Sequence, residues 1–327
     1  MNDEPIFLLG AHKSGTSLLR SILNGHSKLY TIPIESHFFQ LTGYWIDNDY
    51  RSQKPKKLNH QQIISNFNTW IEKSNVTDDK YIDGISKGIF DLERFNDSIL
   101  TIQNVYDHKE CISKYFGAIH YSVEGTTLPN NARIVEKSVE HAEFALELLH
   151  MFPKAKFIHI LRNPYSNIVS IRKFKVLTVK FPIIRRILRT LYTNYYFLYK
   201  NRNLIKNYKV IRYEDIVSNP EFSIKDICEF LDIDFEDILM KPTYLGQPWS
   251  GNSITNTKFN KISNERLGKW KNEIYPMEVY YINKLFDYVL DDYDYDKFNK
   301  IGCFWKPAKG ENLKRYIANR LYKYYLL

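Results

Sequence analysis

This 327-residue chain is poor in several things, and each shortage removes a class of protein. It has three cysteines, Cys111, Cys228 and Cys303, far apart from one another. That argues against a disulfide framework and against a C-x-x-C metal site, and it suits a reducing compartment. The nine histidines show no metal-ligand spacing either, so no metal is expected. No run of about 18 apolar residues occurs, so no segment reads as a membrane-spanning helix. The opening stretch Met1-Asn2-Asp3-Glu4-Pro5 carries two acids and leads into a short apolar run, unlike a signal peptide or an anchor. The chain therefore reads as cytoplasmic, with at most a peripheral contact at the inner membrane surface. No internal repeat or low-complexity linker divides it, so 1–327 reads as one domain.

What is abundant is apolar and basic. Hydrophobic residues make up 44%, enough for a large core. The 25 Tyr, 20 Phe and five Trp exceed what a minimal core needs, and some are expected to line a cleft. A net charge of +9 implies an anionic partner, without choosing among a phosphorylated cofactor, an acidic glycan, a nucleic acid or a membrane surface.

Strand and helix signals alternate. Ile6-Phe7-Leu8-Leu9 is a short continuous apolar run ending at Gly10, the pattern of a buried parallel strand, and Thr16 to Leu23 follows with helical spacing. The unit repeats at Lys156 to Leu161, where Arg162-Asn163-Pro164 leads into a helix from Tyr165 to about Lys173. A third strand at Val210-Ile211 passes through Tyr213-Glu214-Asp215 to a helix from Glu221 to Leu231. This alternation predicts an α/β fold, a three-layer P-loop-like architecture with a central parallel sheet flanked by helices. Residues from about 44 to 130 read as a mostly helical insertion, and residues from about 246 to 264 as a mobile loop.

The loop Gly10-Ala11-His12-Lys13-Ser14-Gly15-Thr16-Ser17 joins a strand to a helix N-terminus, where unpaired backbone N–H groups and the helix dipole favour an anion. A nucleotide kinase needs Lys after the second Gly, whereas Lys13 precedes Gly15. Such an enzyme also usually ends a later strand in a metal-binding Asp, and here that strand ends in Arg162.

Lys13-Ser14-Gly15-Thr16-Ser17 resembles the 5′-phosphosulfate loop, K-S-G-T-[TS], of sulfotransferases that use 3′-phosphoadenosine 5′-phosphosulfate (PAPS). Arg162-Asn163-Pro164, with Ser170 eight residues after the Arg, is similar to that family's 3′-phosphate motif. Arg212-Tyr213-Glu214-Asp215 and Leu267-Gly268-Lys269-Trp270-Lys271 resemble two later family elements. The resemblance implies PAPS as donor and no metal. It places Lys13 at the leaving oxygen, Ser14, Gly15, Thr16 and Ser17 around the 5′-phosphate, Arg162 and Ser170 at the 3′-phosphate, and Tyr213 near the adenosine.

The base is read by comparison within the family. Members acting on small phenols and steroids carry K-x-H, but Lys137-Ser138-Val139 puts a valine at the His position. Glycan- and protein-modifying members use a Glu shortly after the first helix, and Glu35, eighteen residues beyond Ser17, occupies that place. Glu35 is thus the expected base, with Lys137 on the sulfuryl oxygens and His37 orienting the acceptor or serving as base itself. The Trp that small-molecule enzymes carry directly after the loop is Leu18 here, and their later R-K-G triplet is Ser263-Asn264-Glu265. Trp249 is the candidate for stacking adenine and Lys261 for gripping the 3′-phosphate. The chain is expected to sulfate a hydroxyl, on a glycan or glycolipid by preference, and not to bind nucleic acid. The alternatives are a P-loop-like kinase or a non-enzymatic basic glycan- or membrane-binding protein. Two stretches, 180–200 and 313–327, read as basic amphipathic helices that suit an anionic bilayer.

Overall fold

The computed structural model describes residues 4–44, 57–76, 88–129, 131–177, 180–249, 251, 261–300 and 302–326. Strands β1 (Ile6–Gly10), β2 (Leu29–Thr31), β3 (Arg133–Glu136), β4 (Lys156–Leu161) and β5 (Tyr208–Arg212) form one sheet in the order β2-β3-β1-β4-β5. Every pairing in it is parallel, with Phe7 beside Phe157 and Gly10 beside Ile160. The helices are α1 (Thr16–Leu23), α2 (Phe38–Leu41), α3 (His60–Val76), α4 (Leu92–Ile99), α5 (His108–Glu124), α6 (Ala145–Met151) and α7 (Pro164–Val176). They continue with α8 (Ile184–Leu204), α9 (Tyr213–Ser218), α10 (Pro220–Leu231), α11 (Trp270–Glu273), α12 (Pro276–Leu285), α13 (Asp287–Asp292) and α14 (Leu313–Leu321).

β1 is buried along its whole length because both sheet faces are covered. Successive side chains point to opposite faces, so Ile6 and Leu8 pack with α1 and α10, while Phe7 and Leu9 pack with α3, α5 and α6. Phe7 stacks on Phe157 at 5.5 Å between ring centres. Truncating such a buried ring to Ala costs about 3–5 kcal/mol. The result is the α/β architecture with a central parallel sheet that the alternation of elements predicts. A further core joins α7, α8, α12 and α13.

Four segments refine the sequence reading. Residues 44–130 contain α3, α4 and α5, although 45–56, 77–87 and 130 lie outside the described residues. Thr243–Tyr244 (β6) pairs antiparallel with Gln247–Pro248 (β7) across Leu245 and Gly246, both left-handed, so the segment expected to be mobile opens as a tight hairpin. Residues 252–260 of that expected loop lie outside the described residues. α8 begins at Ile184 rather than at 180, since Pro182 disfavours helix at the residue before it. Its apolar side, including Ile187, Leu191 and Leu198, is buried in the core, so this basic helix is built into the protein rather than offered to a bilayer. Among the described residues no helix is long and apolar enough to cross a membrane.

Candidate active site

The loop between β1 and α1 takes its shape from backbone demands. Gly10 lets the chain pass close to β4, where a Cβ would lie 2.8 Å from the Ile160 carbonyl oxygen. Gly15 caps α1 at φ 112°, and a Cβ there would meet the Tyr213 ring at 2.5 Å. Lys13 is left-handed as well, at φ 62°. The second motif holds this loop from behind. Arg162 donates from Nη1 to the Lys13 carbonyl at 2.9 Å, and Asn167 donates to the His12 carbonyl at 2.8 Å. With those carbonyls occupied and the first-turn N–H groups of α1 lacking helical partners, the loop offers hydrogen-bond donors to an anion.

The R-N-P sequence has a local explanation. Asn163 caps α7 by accepting from the N–H groups of Tyr165 and Ser166, and Pro164 takes the first helical position, where no N–H is needed. The Asn163 N–H donates to Glu214, so the Tyr213-Glu214-Asp215 segment pins the turn from the other side. Tyr213 wedges between the motifs, with its ring against Gly15 and 4.5 Å beneath the Arg162 guanidinium. The Lys13 ammonium sits 4.3 Å over Phe174.

One cleft is lined by residues of both motifs. Lys13, Gly15, Thr16 and Ser17 face it from the loop, and Arg162, Ser166, Ser170 and Lys173 from β4 and α7. Tyr213, Trp249 and Lys261 complete that end, while Glu35, Lys137 and Val139 line it too. The lining holds seven Lys and Arg side chains against two acids, Glu35 and Glu273, which suits a multiply charged anion. Ser14 departs from expectation. It does not line the cleft, and its hydroxyl is buried without a hydrogen-bond partner in the space that Gly10 leaves open.

The segment carrying Glu35 is fixed through its backbone. Arg20, buried on α1, donates to the Pro33 carbonyl at 2.9 Å. Trp70 donates to the Glu35 carbonyl at 2.9 Å, and Tyr115 to that of Ser36 at 3.1 Å. The Ser36 hydroxyl donates to Glu136 at the end of β3 at 2.8 Å. The side chain is then aimed by charge. Lys137 donates to Glu35 Oε1, and His37 Nε2 stands 3.8 Å from Oε2.

His37 sits apart from the cleft wall that Glu35 lines. It is left-handed at φ 48° at the start of α2, its ring packs edge-on against Trp70, and it is absent from the cleft lining. Burial alone would lower its pKa, but the Glu140 carboxylate at 2.5 Å, with Glu35 and Glu136 nearby, raises it to about 9. Held in its protonated form, the ring can donate toward Glu140 and Glu35.

Behind it lies a second buried pair. His141 stands 2.6 Å from Glu136, its pKa raised by the two carboxylates Glu136 and Glu140 against the opposing effect of burial. Burial pushes Glu136 and Glu140 up, yet His141 beside the one and His37 beside the other bring both carboxyls below their ordinary range. The ligand atoms of Glu35, His37 and Glu140 lie within 4.8 Å of one another, close enough for a cation. Each carboxylate already has a partner, Lys137 on Glu35 and His37 on Glu140.

Ser166, Lys173 and Arg266 are cationic or hydroxyl-bearing lining residues that the motifs did not single out. Ser166 and Lys173 share a helical face with Ser170, and their spacing after Arg162 was a usable signal. Arg266 stands just before the Leu267-Gly268-Lys269-Trp270-Lys271 element, with no signal beyond its charge, and Lys269 of that element lines the cleft as well.

A parallel sheet whose central strand opens onto an anion loop, tied to the Arg162 that follows the next strand, suits a protein that binds a phosphorylated ligand. The chain belongs to the sulfotransferase family, whose sequence model matches residues 5–237. No curated protein matches in sequence. Among solved structures it is similar to the sulfotransferase domain from the curacin biosynthetic pathway, at 18% identity and a TM-score of 0.55, covering 90% of this chain and 98% of that one. It is also similar to the sulfotransferase domain of the Synechococcus PCC 7002 olefin synthase, at 17% identity and a TM-score of 0.52, covering 88% and 95%. Sulfotransferase STF9 of Mycobacterium avium matches at 13% identity and a TM-score of 0.51, covering 92% and 79%.

Proposed function

We propose that this enzyme sulfates a hydroxyl of a carbohydrate or glycolipid, with Glu35 as the base. The observation that carries the reading is that Glu35, paired with Lys137, lines the same cleft as both phosphate motifs. Val139, on the same lining, cannot accept a proton.

PAPS supplies a sulfuryl group already activated on its 5′-phosphate. Thr16, Ser17 and the loop amides hold that phosphate, and Lys13 balances charge on the leaving oxygen. Arg162 and Ser170 grip the 3′-phosphate, Arg because its planar fork matches phosphate oxygens, and Lys261 adds a second cation. Tyr213 and Trp249 border the adenosine. As the acceptor oxygen bonds to sulfur, the bond from sulfur to the phosphate oxygen breaks and its electron pair stays on that oxygen near Lys13. The acceptor proton passes to Glu35, and Lys137 offsets charge on the sulfuryl oxygens. His37 acts through Glu35 as a positioning residue. The enzyme works in the cytoplasm, in peripheral contact with the inner membrane surface through 313–327.

A transfer screen with labelled PAPS over glycans, glycolipids and phenols tests the reading. Sulfation of a sugar hydroxyl is expected, with Glu35→Gln lowering kcat about 10²–10⁴-fold while binding of 3′,5′-adenosine bisphosphate is kept. Transfer to phenols alone, or full activity in Glu35→Gln, overturns it.

A further inference from the structure

The C-terminal helix α14 is attached by its polar side. Asn319 and Arg320 are only 1% exposed. Arg320 pairs with Glu311 at 2.8 Å and donates to the carbonyls of Phe304 and Lys306. Asn319 accepts from the Ile184 N–H at 2.8 Å and donates to the Pro182 carbonyl. These buried polar groups are satisfied, which is the condition for burying them at all. The apolar side is left outside. Leu313, Ile317 and Leu321, four residues apart and so on one face, are 73%, 45% and 46% exposed. Tyr325 and Trp305 are exposed as well, at 81% and 41%, the Trp305 ring 4.5 Å from the Lys323 ammonium. Three large apolar side chains exposed on one helix face suit an interaction site.

Its charge selects the partner. Residues 302–327 hold six cations against one acid, Glu311, and the Glu311 side chain is buried against Arg320. The field around the apolar face is therefore positive, and Arg185 of α8 adds to it, 5.7 Å from the Tyr322 ring. Exposed Tyr and Trp rings suit the headgroup level, where one edge is wet and the body is apolar. Two copies meeting through this face would bring like charges together, which disfavours a dimer here.

We propose that the outward face of α14, with Trp305 and Tyr325, lies in the plane of an anionic lipid bilayer, its leucine and isoleucine side chains among the acyl chains and its lysines at the phosphates. This rests on the peripheral contact proposed above and adds the lipid charge and the contact face. Vesicle binding is measured without PAPS or acceptor, so its failure leaves the acceptor assignment standing, and failure of the glycan screen leaves the lipid contact standing.

The test is sedimentation of the whole protein with phosphatidylcholine vesicles, with and without phosphatidylglycerol. Binding is expected only with phosphatidylglycerol and should weaken with salt. Ile317→Ser/Leu321→Ser keeps the charge and removes only apolar contact, so it should bind at least about tenfold more weakly. Phe222→Ser, at an exposed ring on α10, should bind as the wild type does. An unchanged melting midpoint and unchanged binding of 3′,5′-adenosine bisphosphate show that the double variant is folded. Equal binding to neutral vesicles, no binding, undiminished binding by the folded double variant, or a wild-type dimer that this variant dissociates would each overturn the proposal.

Discussion

The two ends of the cleft are built by different physics. At the donor end the work is done by backbone and local sequence. Two strand-to-helix turns, a glycine where the chain must pass β4 and an asparagine cap create the anion cradle. At the acceptor end almost nothing is local. Glu35 and His37 take their places from Lys137, Glu136 and Glu140, about a hundred residues away, through a buried chain of alternating charges. Backbone sites tolerate changes in side chains that do not alter φ and ψ, whereas a buried ion chain fails when one member is lost.

Breaking that chain gives the largest effect. Glu140→Gln takes the close carboxylate from the His37 imidazolium and leaves it only Glu35 at 3.8 Å, so a loss of about 3 kcal/mol in unfolding free energy is expected in denaturant titration. A loss within the range of an ordinary surface change would mean that the acceptor end is no more tightly wired than the donor end. Arg162→Ala comes next. It removes one charge-assisted phosphate contact and the tie to the Lys13 carbonyl, so 3′,5′-adenosine bisphosphate should bind roughly 10–100-fold more weakly by calorimetry, with little change in melting. The smallest effect is on pH dependence. Because the His37 pKa is raised to about 9, its contribution to stability is complete below the ordinary histidine value of roughly 6.5 and is lost as pH rises through about 9. The wild-type melting midpoint should fall across that window more steeply than that of His37→Gln, and parallel curves would show that the pair contributes nothing.

The same contrast explains how far the sequence could be read. Gly10 to Ser17 and Arg162 to Ser170 each sit on one strand-to-helix turn, so spacing along the chain reports their geometry, and the parallel sheet follows from the same alternation. Glu35 could be nominated only through its resemblance to a family position. Nothing near His37 shows that Glu140 lies against it, because that contact depends on how β3 is placed beside the segment after β2. The left-handed turn at His37 is likewise hidden, since a histidine gives no glycine-like signal of positive φ. Ser14 fails for the opposite reason. Its residue type fits the motif, but its hydroxyl turns into the space that Gly10 vacates.

The hold that Arg162 and Asn167 keep on the Lys13 and His12 carbonyls bears on protein engineering. A designer who copied residues 10–17 into another strand-to-helix junction would carry over the glycines and the lysine but not the two donors that occupy those carbonyls. The graft would present carbonyl oxygens as readily as amides to an incoming anion. The smallest transferable unit is both turns on neighbouring parallel strands, and a recipient scaffold must supply that adjacency before any side chain is chosen.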